Sequence, residues 1–222
     1  MQKQYLTRDD AIFSLKRMQD FHDECKSLYQ RHGFDLLDNL GRRNILLSQA
    51  QEKYFADALS RKFKDVRNDG RAGEPDIIIG ELDKELECKL TSRHKGGAIS
   101  FQSDYQALLQ KGALDYLYVI ADENFKEFAV LHFQGLTVED FRPLSTGSRG
   151  KIAMFKHKGI QKCTVLYGDV IDLSEKNLSR LHMKLLDSQL SASQRQKIQK
   201  SIKYWQTAPT KYSFELEALD ES

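Results

Sequence analysis

The sequence predicts an α/β domain in which a mixed β-sheet is flanked by helices, with further helices at both ends. Three observations carry this expectation. The β-branched run Ile77, Ile78, Ile79 is closed by Gly80 and followed by alternation of Glu85, Glu87 and Lys89 with Leu86, Cys88 and Leu90, which is the pattern of a hairpin. A strongly apolar run at 115–121 is separated by the turn residues Asp122, Glu123 and Asn124 from a second run at 127–133. Helical periodicity precedes and follows these strands, as a sheet covered by helices requires.

Residues 7–32 read as an amphipathic helix. Thr7 caps it, Asp9 and Asp10 suit its positive end, and Ala11, Leu15, Met18, His22, Cys25 and Tyr29 recur on one face until Gly33. His22 on that face reads as a packed core histidine. An apolar cluster at Phe34, Leu36, Leu37 and Leu40 leads through Gly41, Arg42 and Arg43 to Asn44–Leu47. Ser48 with Gln51 predicts a capping box opening a helix to about Phe63, whose inner face is Ala50, Tyr54, Phe55, Ala58, Leu59 and Phe63. A turn containing Asn68, Asp69, Gly70 and Gly73 then enters the hairpin.

Beyond the hairpin, Ser92–Gly97 is a basic, glycine-rich connection, and its His94 reads as an exposed loop residue. A short helix spans Tyr105–Lys111 and stops at Gly112. After the paired apolar strands, 144–162 holds Arg149, Lys151, Lys156, Lys158 and Lys162 without one acid. Residues 162–172 read as a strand with a glycine turn. Ser174 and Ser191 are expected to cap two helices, the second carrying Arg195, Lys197, Lys200 and Lys203 opposite Ile198, Ile202 and Trp205; that helix suits either DNA or a dimer contact. The acidic tail from Phe214 to Ser222 is expected to be poorly ordered.

Composition sets the limits. The chain has 222 residues, 40% of them hydrophobic, enough for one substantial core. No apolar stretch approaches membrane-spanning length, and the start lacks the charged-then-apolar plan of a signal peptide, so a cytoplasmic protein without membrane contact is expected. Cys25, Cys88 and Cys163 are too scattered for a disulfide framework or zinc ribbon. The net charge of +2, from 34 basic and 32 acidic residues, does not mark a nucleic-acid binder; local clustering of the basic residues decides that.

The hairpin carries the chemistry. It sets Asp76 at the head of one strand and Glu87 with Lys89 on the next, so carboxylates and an ammonium converge on a site suited to Mg2+, which takes hard oxygen ligands. A solvated ladder of Glu85, Glu87 and Lys89 is the plainer alternative. Pro75-Asp76, a ten-residue spacer, then Glu87-Cys88-Lys89 resembles the signature of the PD-(D/E)xK nuclease superfamily, most closely that of type II restriction endonucleases.

The resemblance implies a restriction-endonuclease-like core. It also implies that Asp76 and Glu87 ligate Mg2+, that Cys88 adds its main-chain carbonyl, and that Lys89 orients the attacking water. Glu52 matches the helical glutamate that many members place before the hairpin; an ordinary first-turn acid is the alternative for it. The chain then divides, within one nuclease domain 1–222, into an N-terminal helical segment (1–47), a catalytic core (48–135), DNA-contact strands and loops (136–172), and C-terminal helices with the tail (173–222). Arg67, Arg71, Arg93, Arg149, Lys151, Lys156 and Lys158 are the expected DNA contacts.

The implied activity is Mg2+-dependent, sequence-specific hydrolysis of double-stranded DNA by metal-activated water, performed by a homodimer. A Holliday-junction resolvase, repair nickase or transposon-encoded nuclease of the same superfamily is the alternative, followed by a non-catalytic DNA-binding protein.

Overall fold

The computed structural model describes residues 4–68, 70–71, 74–93 and 99–210. His94, the glycine at 73, Asp69 and the acidic tail lie outside them.

The first helix, α1 (Arg8–Arg31), starts where expected. The Thr7 hydroxyl accepts from the Asp10 amide at 3.4 Å, and the Asp10 carboxylate accepts from the Thr7 amide at 2.8 Å, so each residue satisfies a donor that the helix start leaves open. His22 is 1% exposed and stacks on Phe125 with ring centroids 4.8 Å apart. The second helix, α2 (Leu40–Ser60), begins earlier than the Ser48 cap predicts. Asn39 caps it by accepting from the Arg42 amide, and the Ser48 hydroxyl instead donates to the Ile45 carbonyl within the helix. Its polar first turns are helical because Arg43 points inward. That guanidinium is fully buried, lies over the Phe125 ring, and donates to the carbonyls of Asp122 and Glu123 and to the Ser92 hydroxyl. The boundary expected between residues 47 and 48 therefore falls inside one continuous helix.

In chain order the remaining elements are β1 (Val66–Arg67), β2 (Ile77–Ile79), β3 (Lys84–Ser92), β4 (Gln102–Asp104), α3 (Tyr105–Lys111), β5 (Leu114–Ala121), β6 (Phe128–Leu136), β7 (Lys151–Ala153), α4 (Lys156–Gly159), β8 (Cys163–Tyr167), α5 (Ile171–Leu185) and α6 (Ala192–Thr207). Ser174 lies within α5 and donates to the Ile171 carbonyl; it does not cap the helix. Ser191 does cap α6, accepting from the Gln194 amide.

Among the described residues, six strands form a mixed sheet in the order β1-β2-β3-β5-β6-β8. Strands β3 and β5 are parallel and the other neighbours antiparallel. Strand β5 is buried at every position, which is why it reads as an uninterrupted apolar run. Helices α1 and α2 cover one face, packing Leu15, Met18, Leu47 and Phe55 against Ile77, Leu86, Cys88 and Leu117. The other face is more aromatic: Tyr116, Tyr118 and Phe133 meet Phe101, Ile152 from the small β4–β7 sheet, and Trp205 from α6. No helix among the described residues is long and apolar enough to cross a membrane.

Candidate active site

The predicted hairpin is present, with a 3-10 turn at Gly80–Leu82 and Asp83 in the left-handed region joining its strands. An added Cβ on Gly80 would fall 2.1 Å from the Asp65 carboxylate, so a larger residue there would have to displace that exposed side chain. Strand β2 is short: its pairing with β3 ends where Ile77 meets Leu86. Beyond that point, among the described residues, β3 is paired only with β5, and the edge facing Asp76 lies open.

Asp76 meets that edge at one point. One of its carboxylate oxygens accepts the Cys88 amide at 2.7 Å, while the Asn68 amide side chain donates to the Asp76 carbonyl at 2.8 Å. On β3, Leu86 and Cys88 are buried beneath the helices, and the intervening Glu87 and Lys89 are partly exposed with Lys89 Nζ donating to Glu87 Oε1. The Cys88 thiol is buried and its pKa is raised well above the usual range, chiefly by that burial, which suits packing and not nucleophilic attack.

Glu52, half-buried on α2, completes the group, with the Asn68 side chain near enough to favour its charged form. Burial first, and then the Asp76 charge, raise its pKa to about 7. Asp76 is raised to about 6, again first by burial and next by Glu87. Burial acts to lower Lys89, but the nearby Glu87 and Asp76 charges outweigh it and leave its pKa raised, so the ammonium keeps its proton.

Acids thus outnumber the single ammonium, and their mutual repulsion adds to burial in raising Glu52 and Asp76. Among the described residues no group of His, Cys, Asp and Glu forms a ready-made metal cage. Mg2+ needs none, since it retains several waters and takes only one or two carboxylates. Hard oxygens with surplus negative charge fit such an ion.

Sequence reasoning missed two residues that build this site. Gln51, fully buried, donates from α2 to the Leu117 carbonyl at 3.0 Å and to the Lys89 carbonyl at 3.4 Å, joining the Glu52 helix to the strand of Lys89. Its pattern fitted a cap with Ser48, which concealed this. Asn68 reads as turn chemistry in the sequence, yet it donates to the Asp76 carbonyl and lowers the pKa of Glu52 against burial.

The basic residues do not gather as one set. Arg67 is exposed and pairs with Asp65 at 3.2 Å, and Arg71 is exposed. Arg93 donates to the Asp169 carbonyl at 2.5 Å and lies 3.4 Å from Asp172. Arg149 is exposed at a left-handed turn, and Lys151 lies 3.7 Å from Asp104. Lys158 donates to the Glu139 carbonyl, and Lys156 lies near the Lys176 and Arg180 charges of α5. The acid-free look of 144–162 is local to the sequence, because folding supplies Asp104 to Lys151 and Asp140 to Lys162. No family model matches the chain, and no curated protein matches it.

Proposed function

We propose that this chain is a Mg2+-dependent endonuclease of double-stranded DNA, with the restriction-endonuclease-like fold of the PD-(D/E)xK superfamily and the action of a homodimeric type II enzyme. One observation carries the reading: Glu52, Asp76, Glu87 and Lys89 arrive from a helix and two strands at a single open sheet edge, close enough that their charges shift the proton affinities of Glu52, Asp76 and Lys89. A solvated cross-strand ladder would not perturb them in this way.

Asp76 and Glu87, with the Cys88 carbonyl, would hold the ion. Bound Mg2+ supplies electrophilic help to the phosphate and lowers the pKa of water. The chain's own groups do the rest. Lys89, protonated and steered by Glu87 Oε1, donates to the entering water or to a non-bridging phosphate oxygen. Glu52, with a pKa of about 7, is matched to accept the proton that the water gives up near neutral pH. Asn68 and Gln51 hold the helix and the two strands in register for that exchange.

The test is incubation of the purified chain with a mixed-sequence plasmid and Mg2+, followed by sequencing of the fragment ends. Discrete bands with one common end sequence are expected. Cutting confined to branched or mismatched DNA would replace restriction with resolution or repair, and no cutting of any DNA would sink the nuclease reading.

A further inference from the structure

A second charged feature lies away from the carboxylates. The corner after β7, the start of α4 and the helices α5 and α6 enclose a trough of about 900 Å3. Arg142, Lys156, Lys176 and Arg180 line it, above an apolar floor that includes Trp205 and Met154. Lys176 and Arg180 stand one helical turn apart, a like-charge spacing that an isolated helix disfavours. Burial, and then the nearby Lys176, Arg180 and Arg142 charges, lower the pKa of Lys156. Asp172, which lies beside Arg93, opposes that shift.

We propose that this trough is a phosphate channel for a nucleic-acid strand, in which the four cations contact successive backbone phosphates. Three features favour a polyanion over a single small anion. The cations come from separate elements and line a trough much larger than one phosphate. Two are arginines, whose planar forks match phosphate oxygens. Arg93 also ties the end of β3 to Asp169 and Asp172 at the start of α5, so the helix bearing Lys176 and Arg180 is anchored to the strand bearing Glu87 and Lys89. The channel rests on the nuclease reading for the identity of its strand.

The experiment places Arg142→Gln, Lys176→Gln and Arg180→Gln together in an Asp76→Asn background, so that binding is read without turnover. Affinity for a short labelled duplex is followed by fluorescence anisotropy over a salt series without divalent ions. Each lost phosphate contact removes about 0.9 from the slope of log K against log salt, so the triple variant should lose about 2 to 3. Arg180→Gln alone should lose about 1 by the same rule, whereas Lys16→Gln with Arg42→Gln, exposed on α1 and α2, should keep the parent slope.

An unchanged slope in the triple and single variants overturns the channel, whether or not the protein cuts DNA. A reduced slope in a protein that never cuts leaves the channel standing and overturns the nuclease reading alone. If the parent binds no duplex, yet 5′-AMP or inorganic phosphate raises its Tm and not that of the triple variant, the trough is a small-phosphate site and the strand assignment fails.

Discussion

Asp115 and Asp76 are two aspartates of one sheet with opposite surroundings. Asp115, at the start of β5, is 4% exposed and accepts from the Tyr5 hydroxyl at 3.0 Å and the Gly135 amide at 2.7 Å, with Lys84 Nζ 3.8 Å away. Asp10 and Asp140 are handled alike, each closing a capping box and receiving a lysine, Lys62 and Lys162 respectively. Asp76 accepts the Cys88 amide but faces Glu87 and Glu52, with Lys89 as the nearby cation. An acid whose charge is matched within the fold holds structure together. Acids left facing one another retain the capacity to take up a cation from outside.

The largest expected effect tests the unmatched side. Asp76→Asn and Lys89→Ala should each lower the DNA cleavage rate by about 1,000-fold or more, in the range expected for lost electrostatic stabilisation. Urea unfolding of Asp76→Asn without divalent ions should show no loss of stability, because the substitution removes a crowded charge and keeps an acceptor for the Cys88 amide. A stability loss as large as the activity loss would place Asp76 in the same class as Asp115.

Asp115→Ala should do the reverse. It strands the Tyr5 hydroxyl and the Gly135 amide and removes the carboxylate near Lys84, a loss of about 3 kcal/mol by chemical denaturation, as for other broken buried pairs. The folded fraction should still cut DNA.

An effect confined to acid pH, and absent at neutrality, concerns a buried base. His132 is 0% exposed, burial lowers its pKa to about 3, and the Gln4 side chain occupies its Nδ1 at 2.8 Å. Its folded value lies below the unfolded one, near 6.5. Protons therefore favour the unfolded chain as pH falls below about 6.5, and stability should decline by up to about 1.4 kcal/mol per pH unit from this group. His132→Phe should flatten the acid limb of unfolding free energy between pH 7 and pH 4; an unaltered limb would show that other groups control it.

Much of this arrangement could be read before folding. The period of α1, the hairpin, the alternation that separates Leu86 and Cys88 from Glu87 and Lys89, and the central apolar strand are all local patterns, and local patterns are what a sequence displays. The start of α2 was not legible, because Arg43 gains its partners from residues 49 to 80 positions away. The same limit hid the roles of Gln51 and Asn68, whose bonds join segments remote in sequence or cross from loop to strand. It also hid the trough, since Arg142, Lys156 and Arg180 become neighbours only once α5 packs beside α4.

The open margin of β3 has a consequence for solubility. A bare strand margin invites another chain to add itself there. By occupying the Cys88 amide, the Asp76 carboxylate leaves an intruding strand without one of its anchor points and presents it with negative charge. The side chain assigned to chemistry is therefore also placed to hinder strand addition at this point. Asp76→Ala should accordingly form soluble oligomers in light scattering under conditions where Asp76→Asn stays dispersed.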